Sequence, residues 1–453
     1  MRSRIPIILC LCVFVAVSLP FNALAQSKQK KRPKLKDFGS SLKRLTWDPN
    51  KNSAVEIKRG PSATNSEEDD VIRIETNLVT CDILVVDRQG NIVNGLRAED
   101  FVITENGEPQ QVGHFLLGDN ASIPRTIVLI IDYSGSQFPY LRNSIDAAKR
   151  MVDKLGPLDV MAIVTDDVEL LIDFTNDKTK LKEKLESLDK KVRHKDGWFR
   201  SLVGAPSGAR FGKSAQYSAL MATLNEAFVE DDLRPIIVFQ TDGDEIYYLK
   251  NPILTPKIQP DLPDDLRMEA MQRIQARTQS VVDRGLQFSL ADIYRAAEKS
   301  RATIYTVIPG YRFIGRSDEE QLSFMKTDIE KRLAETVATL KPDLASSIKA
   351  DYERWRVFSP LNLAARAKET AIVQTALAAV APRTGGWTEF LETPDQAEGI
   401  YTRIMSDISQ RYIVGYYPSN KVRDGKRRKI KFEVKGHPDY YILGRSSYYA
   451  PTN

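Results

Sequence analysis

Three oxygen-bearing side chains follow the most apolar strand-like run of the sequence. Residues 126–131 are apolar or β-branched without alternation, and Asp132, Ser134 and Ser136 come next. One carboxylate and two hydroxyls are hard donors that suit Mg²⁺, because this ion prefers octahedral oxygen coordination and keeps several waters. The spacing Asp-x-Ser-x-Ser therefore indicates a divalent-cation loop. The same residues can also serve only as a strand end and a helix cap, since Asp and Ser are favoured caps.

Two more oxygen donors belong to the same predicted site. Asp242 ends a second buried strand-like run, in Thr-Asp-Gly-Asp-Glu, and Ser214 stands just before a helical stretch. Open α/β sheets bind ligands at the carboxyl ends of their strands, so Asp242 is expected to lie near Asp132. A helix cap is the alternative role for Ser214. The predicted metal ligands are therefore Asp132, Ser134, Ser136, Ser214 and Asp242.

The elements that position these residues follow a βα pattern. A continuous apolar run without alternation is typical of a strand buried on both faces, as in a parallel sheet. Helical stretches separate most of the runs, which predicts an α/β fold with a doubly wound, mainly parallel sheet and helices on both faces. The second and third runs are close enough to be antiparallel neighbours. The strand-like runs are 126–132, 160–165, 168–174, 235–241, 302–308 and 385–390.

The flanks of this region have a different pattern. Strand-like runs on both sides alternate apolar and polar residues, as half-buried strands do. We predict that both flanks join in one small antiparallel β domain. Two long, charged, partly helical segments are interpreted as insertions near the ligand-binding edge. The predicted divisions are a signal peptide at 1–25, a flexible basic arm at 26–70, N-terminal strands at 71–121, the α/β domain at 122–410 with insertions near 246–285 and 311–360, and C-terminal strands at 411–453.

The N-terminus has the three parts of a secretory signal peptide. Arg2 and Arg4 give a positive start, residues 5–21 are almost wholly apolar, and Ala23-Leu-Ala25 supplies an A-x-A cleavage pattern. We predict cleavage after Ala25 and a secreted, periplasmic or cell-envelope location. An uncleaved N-terminal anchor is the weaker alternative. No later stretch is long and apolar enough to span a bilayer.

The composition and the absence of several motifs argue against four classes of function: nucleic-acid binding, dinucleotide binding, Ser–His hydrolysis and zinc binding. The 453 residues carry a net charge of only +5, which does not favour nucleic-acid binding. The first strand is not followed by the Gly-x-Gly-x-x-Gly of dinucleotide-binding proteins. The three histidines lie beside no strand-end nucleophile, and no Cys/His cluster supports zinc. We therefore predict no catalytic residues and no organic cofactor.

The predicted ligands resemble the metal-ion-dependent adhesion site of von Willebrand factor type A domains. The sequence Asp132-Tyr-Ser134-Gly-Ser136 matches its first element, and Asp242 in Thr-Asp-Gly matches its third. The second element is usually Gly-Gly-Thr-x-x-x-x-Ala-Leu, and here it reads Gly-Lys-Ser214-Ala-Gln-Tyr-Ser-Ala-Leu. Ser214 therefore replaces a threonine and keeps the hydroxyl.

The resemblance extends to about residues 71–450. The stretch from Asp87 to Gly107, the run Thr384-Gly-Gly and the closing Tyr412-Ile-Val-Gly-Tyr-Tyr-Pro418 are similar to a bacterial family called VWFA-related Acidobacterial domain proteins. These flanking segments support the family resemblance, but they do not indicate which chemistry the protein performs.

The resemblance implies a binding module rather than an enzyme. The three serines would contact Mg²⁺ or Mn²⁺, and the two aspartates would hold the ion directly or through water. One coordination position would remain for a Glu or Asp carboxylate of a protein partner, in adhesion or envelope assembly. Two alternatives stay open. One is a structural envelope protein with a vestigial metal site. The other is a haloacid-dehalogenase-like phosphatase, although that mechanism needs a second acid where Ser134 stands.

Overall fold

The fold is that of a computed structural model, which describes residues 34–35, 37–42, 45–48, 53–56, 78–119, 123–193, 215–229, 232–255, 257–258, 262–284, 288–338 and 341–452. The predicted signal peptide at 1–25 and the predicted ligand Ser214 lie outside these residues.

Strands and helices are numbered along the described chain. The strands are β1 Leu45–Asp48, β2 Ser53–Glu56, β3 Val79–Val86, β4 Phe101–Glu105, β5 Glu108–Gln110, β6 Val112–Leu117, β7 Arg125–Ile131, β8 Val160–Thr165, β9 Leu170–Thr175, β10 Arg234–Gln240, β11 Thr303–Pro309, β12 Thr388–Leu391, β13 Tyr412–Tyr416, β14 Arg427–Val434, β15 Tyr441–Leu443 and β16 Ser447–Tyr449. The helices are α1 Phe138–Asp153, α2 Lys178–Arg193, α3 Gln216–Glu226, α4 Asp264–Arg284, α5 Leu290–Lys299, α6 Asp318–Ala338, α7 Pro342–Arg354, α8 Pro360–Ala378 and α9 Ala397–Gln410.

A six-stranded sheet lies at the centre of the α/β domain, in the order β12-β11-β10-β7-β8-β9. Its strands are parallel except for β9, which is antiparallel to β8. The order reverses between β7 and β10, because the chain first extends the sheet through β8 and β9 and then returns to the other side of β7. The predicted doubly wound, mainly parallel sheet is confirmed.

The central strand β7 explains why helices cover both faces. Ile127, Leu129 and Ile131 lie in a buried cluster with residues of α1, α2 and α9. Val128 and Ile130 lie in a second cluster with residues of α3, α5 and α8. Successive side chains of a strand point to opposite faces, so an unbroken apolar run requires a hydrophobic layer on each side.

The flanking segments build two further antiparallel sheets. One has the order β15-β3-β13-β6 and the other the order β16-β14-β4-β5. In both sheets a strand from before the α/β domain pairs with a strand from after it, β3 with β13 and β4 with β14. Their inward side chains share one buried cluster that includes Ile83, Ile103, Val414 and Ile430. The predicted small β domain from both flanks is therefore present.

One buried carboxylate connects the strands of this β domain. Glu105 is 3% exposed. It accepts hydrogen bonds from the hydroxyls of Tyr416 and Tyr448, both at 2.8 Å, and from the guanidinium of Arg428 at 3.2 Å. Three partners from three strands thus satisfy one charge that would otherwise be costly to bury.

Glu105→Ala is expected to lower the free energy of unfolding by about 3–5 kcal/mol, because it leaves the buried Arg428 without its carboxylate. Urea denaturation of the variant and the wild type measures this difference. Glu108→Ala, on the exposed strand β5, is the control and is expected to change the free energy by less than about 0.5 kcal/mol. Equal losses in the two variants would contradict the assigned role of Glu105.

Helices α4, α6 and α7 occupy the segments predicted as insertions. The predicted insertions follow β10 and β11, so both leave the sheet at its carboxyl edge. Helices α6 and α8 share a buried cluster that includes Met325 and Leu363, and Tyr352 of α7 packs against it. A smaller cluster on α4 includes Leu266, and Trp355 packs against both clusters. These helices therefore pack together through the two clusters.

The segment predicted to be a flexible arm contains ordered contacts in its described part. Strands β1 and β2 form an antiparallel pair. The backbone N–H of Leu35 donates to Asp173 at 3.0 Å, and that of Gly39 donates to Glu226 at 2.7 Å. Within the described residues, no helix combines the length and apolar character needed to cross a membrane.

Candidate metal centre

The two predicted aspartate ligands lie side by side at the carboxyl edge of the sheet. Asp132 follows β7 and Asp242 follows β10, and these strands are parallel neighbours. The backbone N–H of Asp132 donates to the carbonyl of Gln240 at 3.1 Å, which continues the pairing beyond the strand end. This is the point where the strand order reverses, and open α/β sheets bind ligands there.

Asp132 is fully buried and its two carboxylate oxygens are both hydrogen-bonded. The exposed fraction of the residue is 0%. Its Oδ1 accepts the backbone N–H of Ser134 at 2.9 Å. Its Oδ2 accepts the hydroxyl of Thr241 at 2.9 Å and the side-chain amide of Gln216 at 3.2 Å. The carboxylate is thus held in one orientation by three elements of the chain.

The two serine hydroxyls connect this loop to Asp242. The Oγ atoms of Ser134 and Ser136 are 3.1 Å apart. The Ser136 hydroxyl donates to Asp242 Oδ2 at 2.5 Å. Both serines and Asp242 are partly exposed. Four of the five predicted ligands therefore meet in one partly open cluster of oxygens, while Ser214 lies outside the described residues.

A glycine makes the turn after Asp242 possible. Gly243 has a φ of 78°, in the left-handed region that side chains disfavour. A Cβ atom at this position would also lie 3.3 Å from Leu377 and 3.4 Å from the hydroxyl of Tyr217. The Thr-Asp-Gly pattern thus has a conformational cause, because the chain must turn sharply to leave Asp242 at the sheet edge.

The carboxyl groups of Asp132 and Asp242 both have a pKa above its ordinary value. Burial, and then the nearby Asp242 charge, raise the pKa of Asp132 from 3.8 to about 6. Burial, and then the Asp244 charge, raise the pKa of Asp242 from 3.8 to about 6. Hydrogen bonds from Ser134 and Ser136 oppose these shifts without cancelling them. A cation between the two groups would favour their ionised forms.

The donor set fits a hard divalent cation. It offers two carboxylates and two hydroxyls, and oxygen ligands of this kind suit Mg²⁺ and Mn²⁺. Among the described residues, no group of three or more His, Cys, Asp or Glu side chains is placed to hold a metal. A site at this edge would therefore depend on serine hydroxyls and water as well as on the two acids.

Sequence reasoning missed three side chains of this cluster. Thr241 and Gln216 bond to Asp132, as described above, and Gln137 donates to Asp242 Oδ2 at 2.7 Å. The only sequence signal for these residues is that each stands one or two positions from a predicted ligand. A hydroxyl or an uncharged amide at such a position is just as compatible with a surface residue, so composition and spacing do not identify it.

Comparisons with known proteins give structural matches only. No protein-family model matches the sequence, and no curated protein matches it. A von Willebrand factor type A protein from Catenulispora acidiphila is 10% identical over 85% of this chain and 76% of its own, with a TM-score of 0.31. The manganese-loaded TRAP protein of Plasmodium vivax is 10% identical over 78% of this chain and 100% of its own, with a TM-score of 0.27.

A third match is proximal thread matrix protein 1 from the mussel byssus. It is 11% identical over 63% of this chain, with a TM-score of 0.29, and the chain spans 48% of its length. These values carry no inference about function. Structures of von Willebrand A domains are thus among the solved folds to which this chain is similar. The finer resemblance to the VWFA-related Acidobacterial family stays a prediction.

Proposed function

We propose that this protein is an exported module whose von Willebrand A-like domain binds a protein partner through Mg²⁺ or Mn²⁺. The observation that carries the proposal is the convergence of Asp132, Ser134, Ser136 and Asp242 at the strand-order reversal. Ser214, which stands two residues before α3 in the sequence, is proposed as a further ligand. The cation would supply a positive charge that balances the carboxylates of Asp132 and Asp242.

Binding suits this site better than catalysis. A haloacid-dehalogenase-like phosphatase needs a nucleophilic aspartate and a second acid two residues later, and that position is Ser134. Asp132 is also fully buried, and both of its oxygens accept hydrogen bonds. A carboxylate in this environment is suited to holding an ion in place and poorly suited to attacking a substrate. We therefore propose no enzymatic activity.

The proposed partner is a protein that offers a Glu or Asp carboxylate to the cation. A carboxylate is a hard oxygen ligand of the kind that Mg²⁺ and Mn²⁺ prefer, so it would fill the remaining coordination position of the cation. The predicted signal peptide supports a secreted, periplasmic or cell-envelope location, where adhesion or envelope assembly would use such contacts.

The first test is calorimetric titration of Mg²⁺ and Mn²⁺ into the purified mature chain, residues 26–453. The wild type is expected to bind, and the double variant Ser134→Ala/Ser136→Ala is expected to lose at least about 100-fold in affinity, since it removes two oxygen ligands and the bond that orients Asp242. Ser323→Ala/Ser346→Ala, on exposed faces of α6 and α7, is the matched control and should bind like the wild type.

Two results would contradict the proposal. If the wild type gave no heat with either cation, the vestigial site of a structural envelope protein would become the better account. If the mature chain hydrolysed para-nitrophenyl phosphate, and Asp132→Asn abolished that activity, the phosphatase would replace the binding module.

A further inference from the structure

Two buried glutamines bracket the acid pair of the candidate metal centre. Gln137 is 1% exposed and Gln216 is 0% exposed. Gln137 follows the Asp-x-Ser-x-Ser loop, and Gln216 is the first residue of α3. We call these two side chains the amide clamp, because their N–H groups reach both aspartates.

The contacts of the amide clamp are directed at the carboxylates. Gln137 Nε2 donates to Asp242 Oδ2 at 2.7 Å and lies 3.4 Å from Ser136 Oγ. Gln216 Nε2 donates to Asp132 Oδ2 at 3.2 Å and lies 3.5 Å from Asp242 Oδ1. Asp242 is therefore approached by an amide at each oxygen, and one of these amides also reaches Asp132.

The two glutamines differ in what their oxygens do. Gln216 Oε1 accepts the backbone N–H of Glu245 at 3.0 Å, so this residue also stabilises the loop after Asp242. Gln137 Oε1 is buried and has no hydrogen-bond partner among the described residues. An unpartnered buried polar atom is costly, and an apolar side chain at position 137 would avoid that cost. The hydrogen bonds of Gln137 are made on its donor side, toward Asp242 and Ser136.

We propose that Gln137 is a positioning residue for the cation, which sets affinity and cation preference by orienting Asp242. This inference rests on the proposed function of the site. Donors in the shell around a metal site fix the orientation of the ligating groups, and their loss commonly lowers metal affinity. Mg²⁺ demands near-ideal octahedral geometry, whereas Ca²⁺ accepts flexible coordination. Loss of orientation should therefore weaken Mg²⁺ more than Ca²⁺.

The test compares two uncharged substitutions that both remove the N–H group of Gln137. Gln137→Leu shortens the side chain, whereas Gln137→Met keeps its length and most of its packing. If the N–H positions Asp242, both variants should bind Mg²⁺ about 10- to 100-fold more weakly than the wild type, as is usual when a group that orients a metal ligand is removed. Both should also lower the ratio of Mg²⁺ to Ca²⁺ affinity, measured by calorimetry on the mature chain.

A buried glutamine elsewhere is the matched control. Gln374 is 4% exposed, its Oε1 accepts the N–H of Phe313 at 2.9 Å, and its Nε2 donates to the carbonyl of Tyr311 at 2.8 Å. Gln374→Leu should lower stability and leave both cation affinities unchanged. This separates a general loss of packing from a change at the site, since a purely structural role would not alter the Mg²⁺/Ca²⁺ ratio.

The other outcomes each overturn the inference in a distinct way. Wild-type affinity in both Gln137 variants would remove Gln137 from the site while leaving the proposed function intact. Weaker binding by Gln137→Leu with wild-type affinity in Gln137→Met would assign the effect to packing instead of to the N–H group. A wild type that binds neither cation would overturn the proposed function and this inference together.

Discussion

Lowering the pH from about 7.5 to about 5 is expected to abolish most of the stabilisation that Mg²⁺ gives to this protein. Asp132 and Asp242 both have a pKa raised from 3.8 to about 6. At the higher pH both are ionised and available to a cation, whereas at the lower pH protons compete for the same oxygens. Differential scanning fluorimetry with and without Mg²⁺, at both pH values, measures the effect.

The cation-free protein should respond in the opposite direction. A carboxyl whose pKa is higher in the folded than in the unfolded state stabilises the fold below its unfolded pKa, and this contribution is lost as the pH rises through the folded pKa. For Asp132 and Asp242 the loss falls between about pH 4 and pH 7. A shift of about two pKa units corresponds to about 2–3 kcal/mol for one group. Without cation, these two groups therefore favour the fold more at pH 5 than at pH 7.5.

The Ser134→Ala/Ser136→Ala variant separates the two effects. It keeps both carboxylates, so its cation-free stability should still increase on acidification. It lacks the hydroxyl ligands, so Mg²⁺ should not stabilise it at either pH. Equal stabilisation of the wild type by Mg²⁺ at both pH values would contradict the assignment of Asp132 and Asp242 as the groups that bind the cation.

Arg234→Met is expected to lower the free energy of unfolding by about 3–5 kcal/mol, because it removes one member of a buried ion pair. Arg234 is 1% exposed. Its guanidinium donates to the Asp82 carboxylate at 3.1 Å, to the carbonyl of Gly118 at 2.9 Å and to that of Ile408 at 2.6 Å. Asp82 lies on β3 of the small β domain, so the Arg234 side chain joins that domain to the six-stranded sheet that carries the Asp-x-Ser-x-Ser loop.

A surface arginine provides the control for this prediction. The Arg88 side chain is 70% exposed and lies 3.5 Å from Asp439. Arg88→Met should change the free energy of unfolding by at most about 1 kcal/mol, as exposed ion pairs do. Urea denaturation followed by circular dichroism measures both variants. If Arg234→Met cost no more than Arg88→Met, the buried contacts would not contribute to joining the two parts.

Local sequence patterns were sufficient to predict the architecture. The unbroken apolar runs predicted strands covered on both faces, and the structure has them in a doubly wound sheet. The alternating runs of the flanks predicted half-buried strands, and these pair across the α/β domain as β3 with β13 and β4 with β14. The Asp-x-Ser-x-Ser loop and Asp242 were found because carboxylates and hydroxyls at strand ends meet at one sheet edge.

Local sequence patterns do not predict which side chains form long-range contacts. The partner of Gln137 is 105 positions away along the chain, that of Gln216 on Asp132 is 84 away, and Arg234 reaches Asp82 across 152 positions. A glutamine or an arginine is compatible with a surface or a buried position, and hydropathy period does not distinguish the two. Which polar groups end up buried together depends on loop conformation and on packing between layers. The types and order of the elements thus follow from residue periodicity. The amide clamp and the buried arginine contacts depend on tertiary packing, which brings together residues that are far apart in the sequence.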